Sequence, residues 1–580
     1  MNVTTGTETE RTTGPRRATS LVPGIAVARR YRRAWLRHDV VAGIVLTALL
    51  VPQGLAYAEL AGLPAVAGLY ATLVPLLAYA LVGPSRILVL GPDSALAPIV
   101  AAAVVPLAGA DPDERVALAG LLALMVGALL LAGGIARLGF LTDLISKPVR
   151  TGYLGGIAVI VIFSQVPRLL GFDVSEGDVL DDLSGLVRGL DDVDATTAAI
   201  GIACLTVILG AQRFAPVLPV VLIAVVGATA LVSVFDLSVD VVGEVPSGLP
   251  SPTIPSPSVE DLGRLMLSAL AIALLAFADT SILSRSYASR LGERVDQSRE
   301  LAALGVSNIA TGLTQGFPIS SSSSRTPVAE AAGSRTQLTG VVAALLLAAV
   351  LIAGTGLLAD IPQTALAAVV IAAVTRLVDV STLRRLFRVH RADFALAVAA
   401  LLSVVVFGIL PGVGIAIGLS VLAVLQRGWR PYTAVLGRVR DLKGYHDVVR
   451  HPEGQQVPGM LLFRFDAPLF FANAEVFRDG VHRAVAAADG RVRVVVVAAE
   501  PITHVDSTAA EVLAELYAEL ERQGIELGFA ELKGPVKDRL RRYGLFDRIG
   551  EEHFYPTIGL AVRSYVDEHG IPWQDWEEER

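Results

Sequence analysis

Cysteine is almost absent: Cys204 stands alone among 580 residues, inside an apolar run. That excludes an intramolecular disulfide and leaves packing as the role of the thiol. Charge is scarce too, since Asp, Glu, Lys and Arg make up 18% of the chain against 53% hydrophobic residues, with a mean hydropathy of +0.60. A water-soluble globule is not built this way, so most of the chain is membrane protein. The net charge of −7 argues against nucleic acid as a partner. Walker A, HExxH and Cys/His metal spacings are all missing, and the eight histidines are scattered. ATP-driven pumping and cofactor or metal chemistry therefore have no anchor, and His504 beside Asp506 reads as a surface turn.

What charge there is falls unevenly. Residues 1–37 carry Arg11, Arg16, Arg17, Arg29, Arg30, Arg32, Arg33 and Arg37 with no apolar stretch before about residue 39, which reads as a disordered cytoplasmic arm. Apolar segments follow at 39–58, 66–82, 93–107, 116–135, 151–170, 196–211 and 217–235, then at 262–284, 298–315, 324–333, 337–358, 364–376, 392–409 and 412–426. Basic residues crowd the loops 136–150, 285–299 and 376–391. Acidic residues crowd 167–195, and residues 214–263 hold no Lys or Arg. The positive-inside rule then alternates fourteen segments with both ends of the series in the cytoplasm.

An odd number of segments per half makes the halves inverted copies. Gly91-Pro92-Asp93-Ser94-Ala95 in the third segment answers Gly316-Phe317-Pro318-Ile319-Ser320 in the tenth. Each reads as an extended approach, a proline and then a helix that starts among small hydroxyl residues and is too short to span. Non-helical backbone at membrane depth is tolerated where it lines a cavity, so the two half-helices are expected to face one another across a binding site. The run Ser320 to Ser324 followed by Arg325 suits an anion.

Further polar groups sit inside apolar segments. Pro52 is expected to break the first segment locally, and Gln53 and Tyr57, four apart, share a face that suits the cavity wall. Their alternative roles are to satisfy the backbone freed by Pro52 and to anchor the interface. A carboxylate at Asp279, deep in the eighth segment, is costly unless paired, protonated or functional. Three roles stay open for it: a proton-coupling group, a fixed ion pair with Arg325 or Arg285, or part of a sodium site.

Together, Pro-Gln-Gly-Leu-Ala-Tyr-Ala at 52–58, Gly-Pro-Ser-Arg at 83–86, Gly-Pro at 91–92, Asp279 and Phe-Pro-Ile-Ser…Ser-Arg at 317–325 resemble the SulP sulfate-permease family of anion transporters over about residues 35–570. The resemblance implies a polytopic α-helical membrane protein of seven plus seven inverted repeats, in which a core (segments 1–4 and 8–11) moves against a gate (5–7 and 12–14). A homodimer is also implied. Substrate contacts carried over by motif fall on Gln53, Tyr57, Ser94, Ala95, Ser322, Ser323, Ser324 and Arg325, with coupling at Asp279. Relatives that use sodium have a hydroxyl where this chain has Leu283, which weakens a sodium site. Asp93 is an extra carboxylate, with capping of the third segment as its commoner use.

Past residue 428 the composition changes. The expected organisation is a basic arm (1–37), a transporter domain (38–428, with repeats at about 38–236 and 260–428), a linker (429–458), an α/β domain (459–570) and an acidic tail (571–580). Strands are expected at 460–465, 492–497 and 525–530, and helices at 474–488, 508–523, 534–542 and 556–568. His504-Val505-Asp506-Ser507-Thr508, with Phe465 to Ala474, resembles the STAS domain shared with anti-sigma-factor antagonists. By that resemblance Ser507 matches a phosphorylated regulatory serine, beside a capping role for it.

The reading that follows is secondary transport of an inorganic anion, sulfate by default, across the plasma membrane by proton-coupled alternating access. Bicarbonate or a dicarboxylate as substrate, a passive channel or exchanger, and a membrane-anchored regulator acting through a cytoplasmic partner of the STAS domain are the alternatives.

Overall fold

A computed structural model describes residues 23–29, 31–109, 111–139, 146–172, 189–214, 219–255, 258–290, 292, 295–322 and 324–573. Residues 1–22 of the basic arm with Arg30, the acidic loop from Asp173 to Asp182, Arg294, Ser323 and the tail from 574 lie outside these. Two compact units divide at Ser420 and Val421.

In the first unit the apolar segments become fourteen helices: α1 (Arg33–Leu60), α2 (Ala65–Val82), α3 (Ala97–Ala108), α4 (Pro112–Ile135), α5 (Lys147–Leu170), α6 (Ala195–Phe214) and α7 (Val220–Phe235), then α8 (Val259–Arg290), α9 (Gln297–Gly312), α10 (Arg325–Ala331), α11 (Leu338–Ala353), α12 (Gln363–Val374), α13 (Arg391–Phe407) and α14 (Ile409–Trp429). Among the described residues six helical stretches are long and apolar enough to cross a membrane, five of them being α1, α2, α4, α5 and α8. At 12 and 7 residues, α3 and α10 are half-helices.

Much of the packing is preserved when each helix is exchanged for the one seven further along. Helix α4 packs on α9 and α8, and its counterpart α11 packs on α2 and α1. Likewise α5 packs on α13 and α12 on α6, while the pairs α2 with α9 and α5 with α12 map onto themselves. The inverted repeat is therefore present in the contacts as well as in the sequence pattern. Helices 1–4 and 8–11 pack mainly with one another, as do 5–7 and 12–14, and contact between the two groups includes α12 and α7 against α1. Glycine makes the α4–α9 crossing close: a Cβ on Gly305 would lie 2.6 Å from the backbone nitrogen of Leu131, and one on Gly312 2.6 Å from the carbonyl oxygen of Gly120. Side-chain bulk at either place would force the helices apart.

Three local expectations change. The arm expected to be disordered as far as residue 37 is helical over Pro23–Arg29 and again from Arg33, where α1 begins. Helix α1 runs unbroken through Pro52, because losing one ladder bond does not outweigh a helix buried against α2, α11 and α12. The half-helix α10 begins at Arg325, not among the serines. Ser320 and Ser321 instead form strand β2, which pairs antiparallel with β1 (Leu90–Gly91), since each short strand satisfies the other's backbone at membrane depth.

The second unit holds one sheet of order β4-β3-β5-β6-β7-β8. Strands β3 (Thr433–Arg438) and β4 (Tyr445–Asp447) add antiparallel to β5 (Met460–Phe465), which continues in parallel to β6 (Val494–Ala498), β7 (Glu526–Ala530) and β8 (Phe554–Tyr555). The stretch 429–458 expected as linker thus contributes two strands, hidden in the sequence by its charged and glycine residues but paired through ladder bonds such as Val435 opposite Phe463. Alternation along β5 to β7 sends Leu461, Phe463, Val495, Val497, Leu527 and Phe529 towards α15 (Ala474–Ala486), α16 (Ser507–Arg522) and α17 (Gly534–Arg542). The opposite face, with Leu462, Val494 and Val496, is covered by α18 (Ile558–His569).

Candidate functional site

The site is organised by the crossing of β1 and β2, where Leu90 faces Ser321 and Gly91 faces Ser320. Every nearby irregular stretch is tied down. Asn308 on α9 clamps Ile319 by accepting its N–H at 2.9 Å and donating to its carbonyl at 3.1 Å. The Thr280 hydroxyl accepts from the Ser321 N–H at 3.3 Å, and the Ser322 N–H donates to the Val89 carbonyl at 3.2 Å. On the other side, Asp93 Oδ1 accepts from the Ala95 N–H at 2.9 Å in the turn that leads into α3; Leu96 holds the cap position of that helix, so Asp93 does not take the capping use expected of it. The Ser322 hydroxyl plays the equivalent part ahead of α10, accepting from the N–H groups of Ser324 and Arg325, each at 3.3 Å.

Beside this crossing lies a cavity of ≈ 320 Å³ whose wall includes Tyr57, Asp93, Ser94, Ala95, Asp279, Ser321, Ser322 and Ser324 from the core helices and Lys147, Arg150, Arg376 and Asp379 from the gate helices and their loop. Five of the expected substrate contacts, and the coupling carboxylate, therefore share one space. Gln53 does not. It lines an adjoining cavity of ≈ 90 Å³ together with Ser324 and Arg376, and its Oε1 is buried without a hydrogen-bond partner among the described residues. One helical turn separates it from Tyr57, and α1 is buried on both sides, so the two residues reach different spaces.

Arg325 is not in the cavity lining. Its side chain is 1% exposed, and none of Nε, Nη1 and Nη2 has a hydrogen-bond partner among the described residues. Leaving a buried guanidinium unpaired is costly, and such a group awaits an acceptor. Its room is provided by Gly91, where a Cβ would stand 2.7 Å from Arg325 Nη1. No sequence reading singled out Gly91 for this role; a glycine beside Pro92 carried only a turn signal.

The partner of Asp279 is Arg150 on α5. Neither expected pair forms: Arg325 has no hydrogen-bond partner among the described residues, with Asp93 as its nearby carboxylate, and Arg285 donates to the Ser281 hydroxyl at 2.8 and 3.1 Å. Arg150 had been counted among the basic loop residues, but α5 begins at Lys147, which places Arg150 in its first turn and facing the core. The ion pair joins gate to core, with Asp279 15% and Arg150 28% exposed at the side chain. Tyr153, one turn further along α5, is buried beside Arg150, and its hydroxyl makes no hydrogen bond of ordinary geometry among the described residues.

In the second unit the helix cap is Asp506 and not Ser507. Asp506 Oδ1 accepts from the Ala509 N–H and Oδ2 from the Phe471 N–H, both at 2.8 Å. Ser507 is the first helical residue of α16 and is exposed.

Comparison with known proteins agrees with this architecture. Residues 36–400 match the sulfate permease family, and residues 451–561 match the STAS domain. A probable sulfate transporter of Mycobacterium tuberculosis is 42% identical over 546 residues, covering 94% of this chain and 98% of that one. The chloroplastic sulfate transporter 4.1 of Arabidopsis thaliana is 31% identical over 570 residues, covering 94% and 82%. Murine solute carrier 26 family member A9, an anion transporter solved in the inward-facing state, superposes with a TM-score of 0.87 at 21% identity, over 96% of this chain and 97% of that chain. The transmembrane domain of a cyanobacterial bicarbonate transporter, BicA, superposes with a TM-score of 0.59 at 24% identity over 67% and 98%. By sequence along nearly its whole length, the chain belongs to the sulfate permease family, a family of membrane transporters and not of enzymes.

Proposed function

We propose that the chain carries sulfate across the cell membrane by alternating access, with a proton taken up on Asp279 as the coupling ion. The basic arm and the STAS unit are cytoplasmic in this reading. The observation that carries it is Arg325, a guanidinium held between β1, β2 and α10 with every donor unused among the described residues. Sulfate presents the oxygen acceptors that such a fork matches. Serine hydroxyls and the N–H group of Ser94 supply the remaining donors, and Tyr57 closes the space.

The charge count supports proton coupling. Three carboxylates (Asp93, Asp279 and Asp379) and three cations (Lys147, Arg150 and Arg376) line the cavity, so that with Arg325 beside Asp93 the site carries one positive charge in excess. A dianion then leaves the site one negative charge in excess, and protonation of Asp279 removes that excess. Arg150 is freed by the same step, which loosens the gate from the core. Uptake should accordingly rise as the pH on the loading side falls.

The test is uptake of labelled sulfate into proteoliposomes with and without an inward proton gradient. Arg325→Ala is expected to lower sulfate affinity by about 10- to 100-fold, as loss of charge-assisted hydrogen bonds implies. Asp279→Asn should keep sulfate exchange and lose the response to the gradient. Sulfate affinity unchanged in Arg325→Ala would overturn the site. Gradient-driven uptake intact in Asp279→Asn would overturn the coupling.

A further inference from the structure

The loop between α12 and α13 contains a ten-residue helix, Val380–Val389, that the transport site does not absorb. Its faces are sharply divided. Thr382 is buried and Leu383 and Leu386 are half-buried towards the protein, on positions three and four apart. Val380 and Phe387 form an exposed apolar edge, 48% and 57% exposed. Phe387 packs edge-on against Phe394 of α13 with ring centroids 5.2 Å apart, which fixes this edge beside the first turn of that helix. Arg384, Arg385 and Arg388 line the outer face, all exposed, and none has an ion pair or hydrogen bond among the described residues.

We propose that this helix lies in the cytoplasmic headgroup layer and binds anionic phospholipid. An apolar edge next to unpaired arginines, at the end of a membrane span, is complementary to acyl chains below and phosphate above. Acidic protein surface would satisfy the arginines but would leave Val380 and Phe387 without a partner. The contact also has a path to the transport site. Asp379 caps this helix by accepting the Thr382 N–H at 2.9 Å, and Asp379 and Arg376 both line the ≈ 320 Å³ cavity. Lipid bound to the helix therefore holds one wall of the cavity mouth, and anionic lipid promotes turnover. The placement in the cytoplasmic leaflet, and the transport readout, rest on the function proposed above; the binding readout does not.

Two measurements on the full chain test this. Spin-labelled phosphatidylglycerol is compared with spin-labelled phosphatidylcholine at the protein boundary, for the native chain and for Arg384→Gln/Arg385→Gln/Arg388→Gln. The native chain should prefer phosphatidylglycerol, and the variant should lose up to about fivefold of that preference per arginine. Sulfate uptake is then measured in phosphatidylcholine vesicles and in an equal mixture with phosphatidylglycerol. The anionic lipid should speed the native chain and the Arg384→Lys/Arg385→Lys/Arg388→Lys variant, and leave the glutamine variant at its phosphatidylcholine rate. An unchanged lipid preference in the glutamine variant overturns the binding site, whatever the substrate proves to be. A lost preference with an unchanged rate response overturns the link to the cavity.

Discussion

Arg325 and Gly91 form one unit, although they stand 234 positions apart in the chain. Replacing Gly91 by Ala leaves every charge in place and puts a methyl carbon 2.7 Å from Arg325 Nη1 unless something shifts. The expected result of Gly91→Ala is a sulfate affinity reduced towards that of Arg325→Ala, with the protein still folded, as read by binding calorimetry in detergent. Unchanged affinity would mean that the guanidinium has room elsewhere. Arg150 and Asp279 form a second unit. Groups in direct contact depart from additivity by roughly 0.5–3 kcal/mol. Uptake measured across pH in Arg150→Gln, Asp279→Asn and the double variant should show a combined loss smaller than the product of the single losses. Multiplicative losses would show that the pair is not a functional unit. Asp279 was conspicuous in the sequence because a carboxylate in an apolar run has few explanations. Arg150 was not, because an arginine at the end of a span is where the positive-inside rule places one anyway.

At the level of elements, half-helices create the site and also its main weakness, which is backbone without helical partners at membrane depth. Asn308 answers that weakness for Ile319 with one acceptor and one donor. Asn308→Ala leaves both backbone groups buried and unpaired, at roughly 1–3 kcal/mol each. A thermal unfolding midpoint lowered by several degrees in detergent is expected, with sulfate affinity reduced as well because β2 carries the serines. Loss of stability without loss of affinity would separate the clamp from the site. Proline and glycine spacing made both half-helices legible from sequence. The strand pair between them was not, since a two-residue ladder has no periodicity to detect. For the same reason β3 and β4 were hidden inside a charged stretch, whereas the strongly apolar β5, β6 and β7 were visible.

For the whole first unit, the exchange of each helix for one seven further along places Asp93 and Ser94 opposite Ser322 and Arg325, with core and gate meeting across the cavity between them. A ligand held by both sides of such a crossing stabilises the folded chain by about 2.7 kcal/mol when present at 100 times its dissociation constant. Sulfate should thus raise the unfolding temperature of the purified chain, whereas chloride should do so less and Arg325→Ala should not respond. Equal stabilisation by all anions would indicate general salt effects and no specific site.

The amino-acid sequence by itself determined the membrane class, the fourteen segments, the paired breaks at Pro92 and Pro318, and most of the alternation in the STAS unit. Each of these follows from local composition: the length of an apolar run, the missing N–H of proline, or a period of two or three and a half residues. Tertiary structure decided which charges meet. Arg150 and not Arg285 reaches Asp279, Gly91 makes room for Arg325, Gln53 and Tyr57 part company, and Asp506 takes the cap from Ser507. Those outcomes depend on where helices from different parts of the chain cross, and a side chain's partner across a crossing leaves no trace in its own neighbourhood of sequence.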